Sequence, residues 1–242
     1  MSFATPSMAF TGPSLLAFDT STEVLSVAVR RGGAVLARSG PGGAESSATL
    51  IPLVQALLAE AGLAIGQLDA VCFGRGPGSF TGLRTACAVA QGLAFGAGLP
   101  VLPVDTLHAV AEEAHHAAGA ARVVAVLDAR MGEVYAAAHA FDGSVHPLGA
   151  AAAEARLLSP EDVAVPAGWT LAGNAFAACG ERLPQDAPRV QALPTAAAIL
   201  RLAPALLAAG AAVPPERAWP LYVRDKVAQT TAERAAARGV AT

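Results

Sequence analysis

Leu15–Phe18 is a short apolar run that stops at Asp19-Thr20-Ser21-Thr22, the pattern of a buried strand meeting a polar turn. Glu23–Arg30 alternates apolar and polar positions, Arg31-Gly32-Gly33 supplies a hairpin turn, and Ala34–Arg38 returns, so three antiparallel neighbours are expected. A Gly/Pro loop covers 39–44. Leu50, Leu53, Val54, Leu57, Leu58 and Ala61 then recur at helical spacing, predicting a helix over 45–61 that Pro52 either kinks or starts. A strand at Leu68–Phe73, a glycine-rich loop at 74–80, a helix at Thr81–Gly96, a strand at Val101–Val104 and a helix at Thr106–Ala118 follow. This β-β-β-α-β-α-β order, a meander followed by crossovers, describes one α/β lobe. Arg122–Asp128 and the alternating Glu133–Phe141 repeat the strand-rich opening and suggest a second lobe, with a later helix over Leu193–Gly210 interrupted by Pro204.

Composition makes this a core-forming chain: 54% of its 242 residues are hydrophobic and only 14% charged. Alanine dominates, and Lys226 is the single lysine against a full set of arginines, a bias expected of a GC-rich bacterial genome. The net charge of −3 excludes a strong polyanion-attracting field over the whole molecule. A mild basic excess from Glu216 onward (Arg217, Arg224, Lys226, Arg234 and Arg238) reads as a solvated tail that could touch a phosphate backbone. Cys72, Cys87 and Cys179 sit in apolar surroundings with no metal or redox spacing, so buried thiols are expected. The first 14 residues lack the basic and apolar blocks of an export signal, and a cytoplasmic location is expected. Thr85–Val104 carries no charge, but Gly96, Gly98, Pro100 and Pro103 break it into a helix and a strand of a buried core rather than a membrane span.

The glycine loop Gly74–Gly82 lacks the Lys-Ser/Thr of a phosphate-binding P-loop. Its Gly76, Gly78 and Ser79, leading into a helix, form either a structural turn or an anion site built on the N–H groups of Ser79, Phe80 or Thr81. Asp19, at the end of the first strand, could stand near a nucleotide and its metal, or simply cap its own turn. Residues 171–175, with Gly173, offer a second, thinner glycine turn. His108, Glu112 and His116 have i, i+4 spacing, yet a charged helix face explains them as well as a metal does. No nucleophile elbow or catalytic triad can be assembled.

The two predicted first-lobe helices are unusually poor in charge, with Glu60 alone on the first and no charge over Thr85–Phe95 on the second. A solvent-facing helix normally displays charged residues. A protein–protein interface is the preferred reading and tight intramolecular packing the competitor. The candidate contacts are Leu50, Leu53, Val54 and Leu57 with Ala86, Val89, Ala90 and Leu93.

LLAFDTST, GRGPGSFTGLR with its helix, VLPVDTLHAVA, LDARMGEVYAA and AWPLYVR, in this order between Leu15 and Arg224, resemble the TsaB family, also called YeaZ. The resemblance implies the actin/Hsp70/sugar-kinase (ASKHA, ribonuclease H-like) superfold, with an N-terminal lobe over 15–110, a smaller lobe over 111–224, a lead-in at 1–14 and a tail at 225–242. It implies a non-catalytic subunit that pairs with the threonylcarbamoyl transferase TsaD as a heterodimer. TsaE and ATP serve the complex, TsaC makes the donor, and the tRNA is modified on the adenosine beside the anticodon. By the same resemblance the metal-binding H-x-x-x-H of TsaD maps onto Thr106 and Val110 here, so no catalytic residue, metal or bound cofactor is expected of this chain. Self-association without the partner is compatible with the same helices. The rival expectation is an actin-fold ATPase or glycopeptidase-like enzyme acting alone.

Overall fold

The computed structural model describes residues 12–141 and 154–224, so most of the expected lead-in and the whole expected tail lie outside the described residues. Strands β1 (Leu15–Asp19), β2 (Val24–Arg31), β3 (Ala34–Pro41), β4 (Ala70–Gly76) and β5 (Val101–Asp105) form one sheet in the order β3-β2-β1-β4-β5. β1–β2 and β2–β3 pair antiparallel, and β1–β4 and β4–β5 pair parallel. A second sheet is built from β6 (Arg122–Asp128), β7 (Val134–Ala140), β8 (Arg156–Leu158), β9 (Thr170–Gly173) and β10 (Arg189–Gln191). Its order β10-β9-β6-β7-β8 repeats the first, with the same two antiparallel and two parallel pairings. Two copies of one meander-plus-crossover sheet make the duplicated architecture of the actin/Hsp70/sugar-kinase superfold.

Alternation along β1 explains why all five of its residues are buried. Leu16 and Phe18 face a core closed by α1 (Ser46–Ala61) and α2 (Phe80–Ala97), while Leu15 and Ala17 face the opposite core. That opposite core is closed chiefly by α5 (Ala196–Ala208), through Ala196, Ile199, Leu200 and Ala203. Conversely α3 (Thr106–Ala118), which follows the first sheet in the chain, places Leu107, Val110, Ala111 and Ala114 on the second sheet. The short α4 (Phe176–Cys179) contributes Cys179 and Trp169 lies nearby, both buried against the far face of the second sheet. The two lobes therefore exchange helices, and the expected boundary at residue 110 falls inside α3.

Four element boundaries differ from expectation for identifiable reasons. β3 runs to Pro41 because Ser39, Gly40 and Pro41 remain paired with β2, where a loop was expected. β4 extends to Gly76 through pairing with β5 across a bulge between Gly74 and Gly76, so half of the expected loop is strand. Pro52 does not start α1, which begins at Ser46 and carries the proline inside it on its exposed side. Pro204 likewise lies inside α5, which begins at Ala196 behind a Thr195 cap donated to by the Ala198 N–H at 3.0 Å. No described helix is long and apolar enough to cross a membrane.

Candidate functional site

A cleft of about 400 Å³ opens between the two sheets. Ser21, Thr22, Gly78 and Ser79 line one wall, Asp128, Arg130 and Asn174 the other, and Leu221–Arg224 run along its mouth. Asp19, at the end of β1, is fully buried beneath the first wall. Its Oδ1 accepts from the Ser21 N–H at 2.8 Å and the Ser21 hydroxyl at 2.6 Å, and Oδ2 lies 3.5 Å from the Thr106 hydroxyl. Burial pushes its carboxyl up to about 6, and the Ser21 and Thr106 hydrogen bonds oppose that rise. Asp19 thus caps its own turn, one of the two alternatives open to it, and the carboxylate is engaged within the wall.

The glycine loop behaves as a packing device against the same turn. The Ser79 N–H, one of the three expected anion donors, donates to the Ser21 carbonyl at 2.7 Å. A Cβ on Gly78 would approach that carbonyl to 2.5 Å, so this glycine admits protein backbone where a phosphate-binding loop would admit phosphate. Gly76, at φ +119, lies 2.6 Å by the same measure from the Leu221 carbonyl. The structure therefore brings Asp19, Gly76, Gly78 and Ser79 together, with the Ser79 N–H already occupied. Asn174, from the second glycine turn, accepts from the Asp128 N–H at 2.9 Å and so also serves the opposite wall.

The expected metal trio is dispersed over other partners. His108 stacks on His139 with centroids 4.6 Å apart, and burial lowers its pKa. Glu112 accepts from Arg201 at 2.8 Å, and His116 is exposed. Among the described residues, no group of three or more His, Cys, Asp or Glu is placed to hold a metal. Thr106 and Val110, which the resemblance matches to metal ligands, are both buried. The Thr106 hydroxyl accepts from the Gly76 N–H at 3.1 Å, and Val110 packs in the second core.

The interface candidates divide sharply. Leu50, Val54, Leu57, Ala86 and Ala90 face the sheet and are buried in the core, so their expected contact with a partner is corrected to intramolecular packing. Leu53, Val89 and Leu93 are half-buried against the edge of that core. The outward surface of the two helices includes instead Ala48, Ile51, Pro52, Gln55, Ala56 and Ala59 on α1 and Ala88, Gly92, Phe95 and Gly96 on α2. Phe95 is 78% exposed. Along α1 and α2 the charged residues are Glu60, paired with Arg38 at 3.0 Å, and Arg84. The anomaly read from composition is real, but it belongs to small residues on the face opposite the leucines.

Three contacts around the cleft were not foreseen. Tyr222 packs on Phe80 with centroids 5.0 Å apart, and Arg84 lies 3.8 Å over the Phe80 ring. Arg224 pairs with Glu133 at 2.7 Å. Tyr222–Phe80 and Arg224–Glu133 join positions 142 and 91 residues apart, which no periodicity announces, whereas Arg84 lies one helical turn from Phe80.

The TsaD family model, described as tRNA N6-adenosine threonylcarbamoyltransferase, matches residues 42–232. The tRNA threonylcarbamoyladenosine biosynthesis protein TsaB of Escherichia coli K12 is 38% identical over 224 residues, covering 88% of this chain and 96% of that protein. The protein of the same name from Haemophilus influenzae is 48% identical over 122 residues, about half of each chain. Among solved structures, YeaZ from Pseudomonas aeruginosa superposes with a TM-score of 0.79 at 39% identity, covering 87% of this chain and all of that one.

Proposed function

The chain belongs to the TsaB (YeaZ) family of tRNA threonylcarbamoyladenosine biosynthesis proteins, and from that premise we propose that it is the non-catalytic partner subunit of a TsaD-type threonylcarbamoyl transferase. The observation that carries this reading is the outward surface of α1 and α2. Two adjacent helices present alanine, glycine, Ile51 and a projecting Phe95, with little charge. Small residues let a partner helix approach closely, and an aromatic side chain supplies the anchor that such interfaces favour. The positions matched to the transferase's metal ligands support a non-catalytic role, because Thr106 is committed to Asp19 and Gly76 and Val110 to the core.

In this reading the heterodimer works with TsaE and ATP, takes its donor from TsaC, and meets tRNA as a complex in the cytoplasm. The chain itself holds no resident cofactor. Without its partner, the same surface lets two copies associate.

The test mixes the purified chain with TsaD of the same organism and measures mass by size-exclusion with light scattering. The expected outcome is a heterodimer that Ala88→Asp and Phe95→Asp weaken at least about tenfold while circular dichroism is unchanged. Absence of a complex at micromolar concentration, even with TsaE, ATP and tRNA, overturns the reading. So does ATP turnover by the isolated chain at rates matching the complex.

A further inference from the structure

The segment Trp219–Arg224 has no regular secondary structure, yet it is anchored alternately to the two lobes. On the first lobe, the Leu221 N–H donates to the Arg75 carbonyl at 2.7 Å, and Tyr222 packs on Phe80 while its hydroxyl accepts from Arg84 Nε at 3.3 Å. Just before the segment, the Ala218 carbonyl accepts from Gln91 Nε2 at 3.0 Å. On the second lobe, Val223 packs against the core beneath β6 and β7, and Arg224 reaches the turn between those strands. There Arg224 Nη1 pairs with Glu133 at 2.7 Å, and Nη2 donates to the Ala129 carbonyl at 2.9 Å. Within four residues the chain thus crosses from one wall of the cleft to the other.

The turn that Arg224 grips is itself strained. Arg130 and Met131 hold φ of 63° and 57°, a left-handed conformation that non-glycine residues adopt only when their surroundings impose it. The base of the cleft is joined quite differently, by whole helices. Arg201 of α5 bonds Glu112 and Glu113 of α3 at 2.8 and 2.7 Å, and the Ala196 N–H donates to Ser26 of β2 at 2.9 Å. One end of the cleft is packed core, and the other is a strip of extended chain held by side chains.

We propose that Leu221–Arg224 is a clasp that holds the two lobes closed over the cleft, and that its release lets them open about the α3–α5 junction. The clasp side chains line the cavity they close, so opening widens access to Ser21, Ser79 and Asp128. The anchors on the first lobe, Phe80 and Arg84, lie on the first turns of α2, so a ligand that competes for them frees the clasp.

Hydrogen exchange of the full chain, read by mass spectrometry, tests this with one variant at each anchor. Arg84→Ala cuts the first-lobe anchor and Arg224→Ala the second. Each is expected to speed exchange at least about tenfold on both walls, at residues 20–24 and at 127–133, with β4 and α5 unchanged. Acceleration confined to the lobe that lost its anchor, or no acceleration, overturns the clasp and leaves local packing. Circular dichroism checks that both variants fold, and Tyr222→Ala and Glu133→Gln, which cut the same two anchors from the other side, replace any that do not.

Discussion

The Thr20 hydroxyl donates to the Gly82 carbonyl at 2.7 Å, and a methyl group on Gly82 would stand 1.8 Å from the Thr20 carbonyl oxygen. The turn after β1 and the start of α2 are therefore locked backbone to backbone, with no flexible side chain able to give way. Gly82→Ala is expected to lower unfolding stability by about 3 kcal/mol or more, since overpacking against backbone exceeds the usual cost of one extra methyl. Thr20→Val keeps the shape and loses the hydrogen bond, with an expected cost of about 1–2 kcal/mol. Urea denaturation ranks the two, and a larger loss for Thr20→Val would sink the steric account.

Asp19 gives the protein a pH dependence whose sign can be worked out. Its folded-state carboxyl titrates at about 6 against an ordinary value of 3.8, so the folded protein binds the proton more tightly. The stabilisation from that proton is complete below the unfolded value and is lost as pH rises from about 4 through about 6. Relative to Asp19→Asn, the wild type should lose on the order of 3 kcal/mol across this window. Thermal melts of both proteins at pH 4.5 and 7.5 capture about 2 kcal/mol of it, because the unfolded carboxyl is already mostly ionised at pH 4.5. An equal gap at the two pH values would mean that Asp19 does not titrate there.

The order of elements as far as α3 was legible because strands and helices there follow clean periods of two and 3.6. The exchange of α3 and α5 between lobes was not, since each helix has an apolar face and nothing local says which sheet it covers. The under-charged pair of helices was also visible, but most of the residues named on it pack on their own sheet. Leu50, Val54 and Leu57 form the stripe that any helix turns toward its own sheet. The outward face carries alanine and glycine, which read as neutral in any pattern. The contacts of Tyr222 with Phe80 and of Arg224 with Glu133 were invisible for a third reason: no local pattern links positions so far apart in the chain.

The two faces of α1 predict opposite phenotypes. Leu57, buried in the first core, should cost about 2–5 kcal/mol as Leu57→Ala and affect association only through unfolding. Ala56, exposed beside it, should change stability by no more than about 0.5 kcal/mol as Ala56→Glu, yet lower partner affinity at least about tenfold. Denaturation and titration calorimetry with TsaD separate the two. Full affinity in a folded Ala56→Glu chain would remove α1 from the docking surface.

Arg201 is the side chain on which the α3–α5 junction depends. It serves Glu112, only 11% exposed, and Glu113, whose Oε2 also accepts from the Thr195 hydroxyl at 2.7 Å. Arg201→Ala would leave the buried Glu112 carboxylate without its cation, a worse state than losing both partners together. The Arg201 side chain keeps 28% of its surface in water, which lowers the cost below that of a fully buried pair, to about 2–3 kcal/mol. Arg38→Ala, breaking the exposed pair with Glu60, should cost no more than about 1 kcal/mol. Adding Glu112→Gln to Arg201→Ala should recover part of the loss, because the neutral amide needs no counter-charge. A double variant no more stable than Arg201→Ala alone would show that Arg201 contributes by packing its stem rather than by its charge.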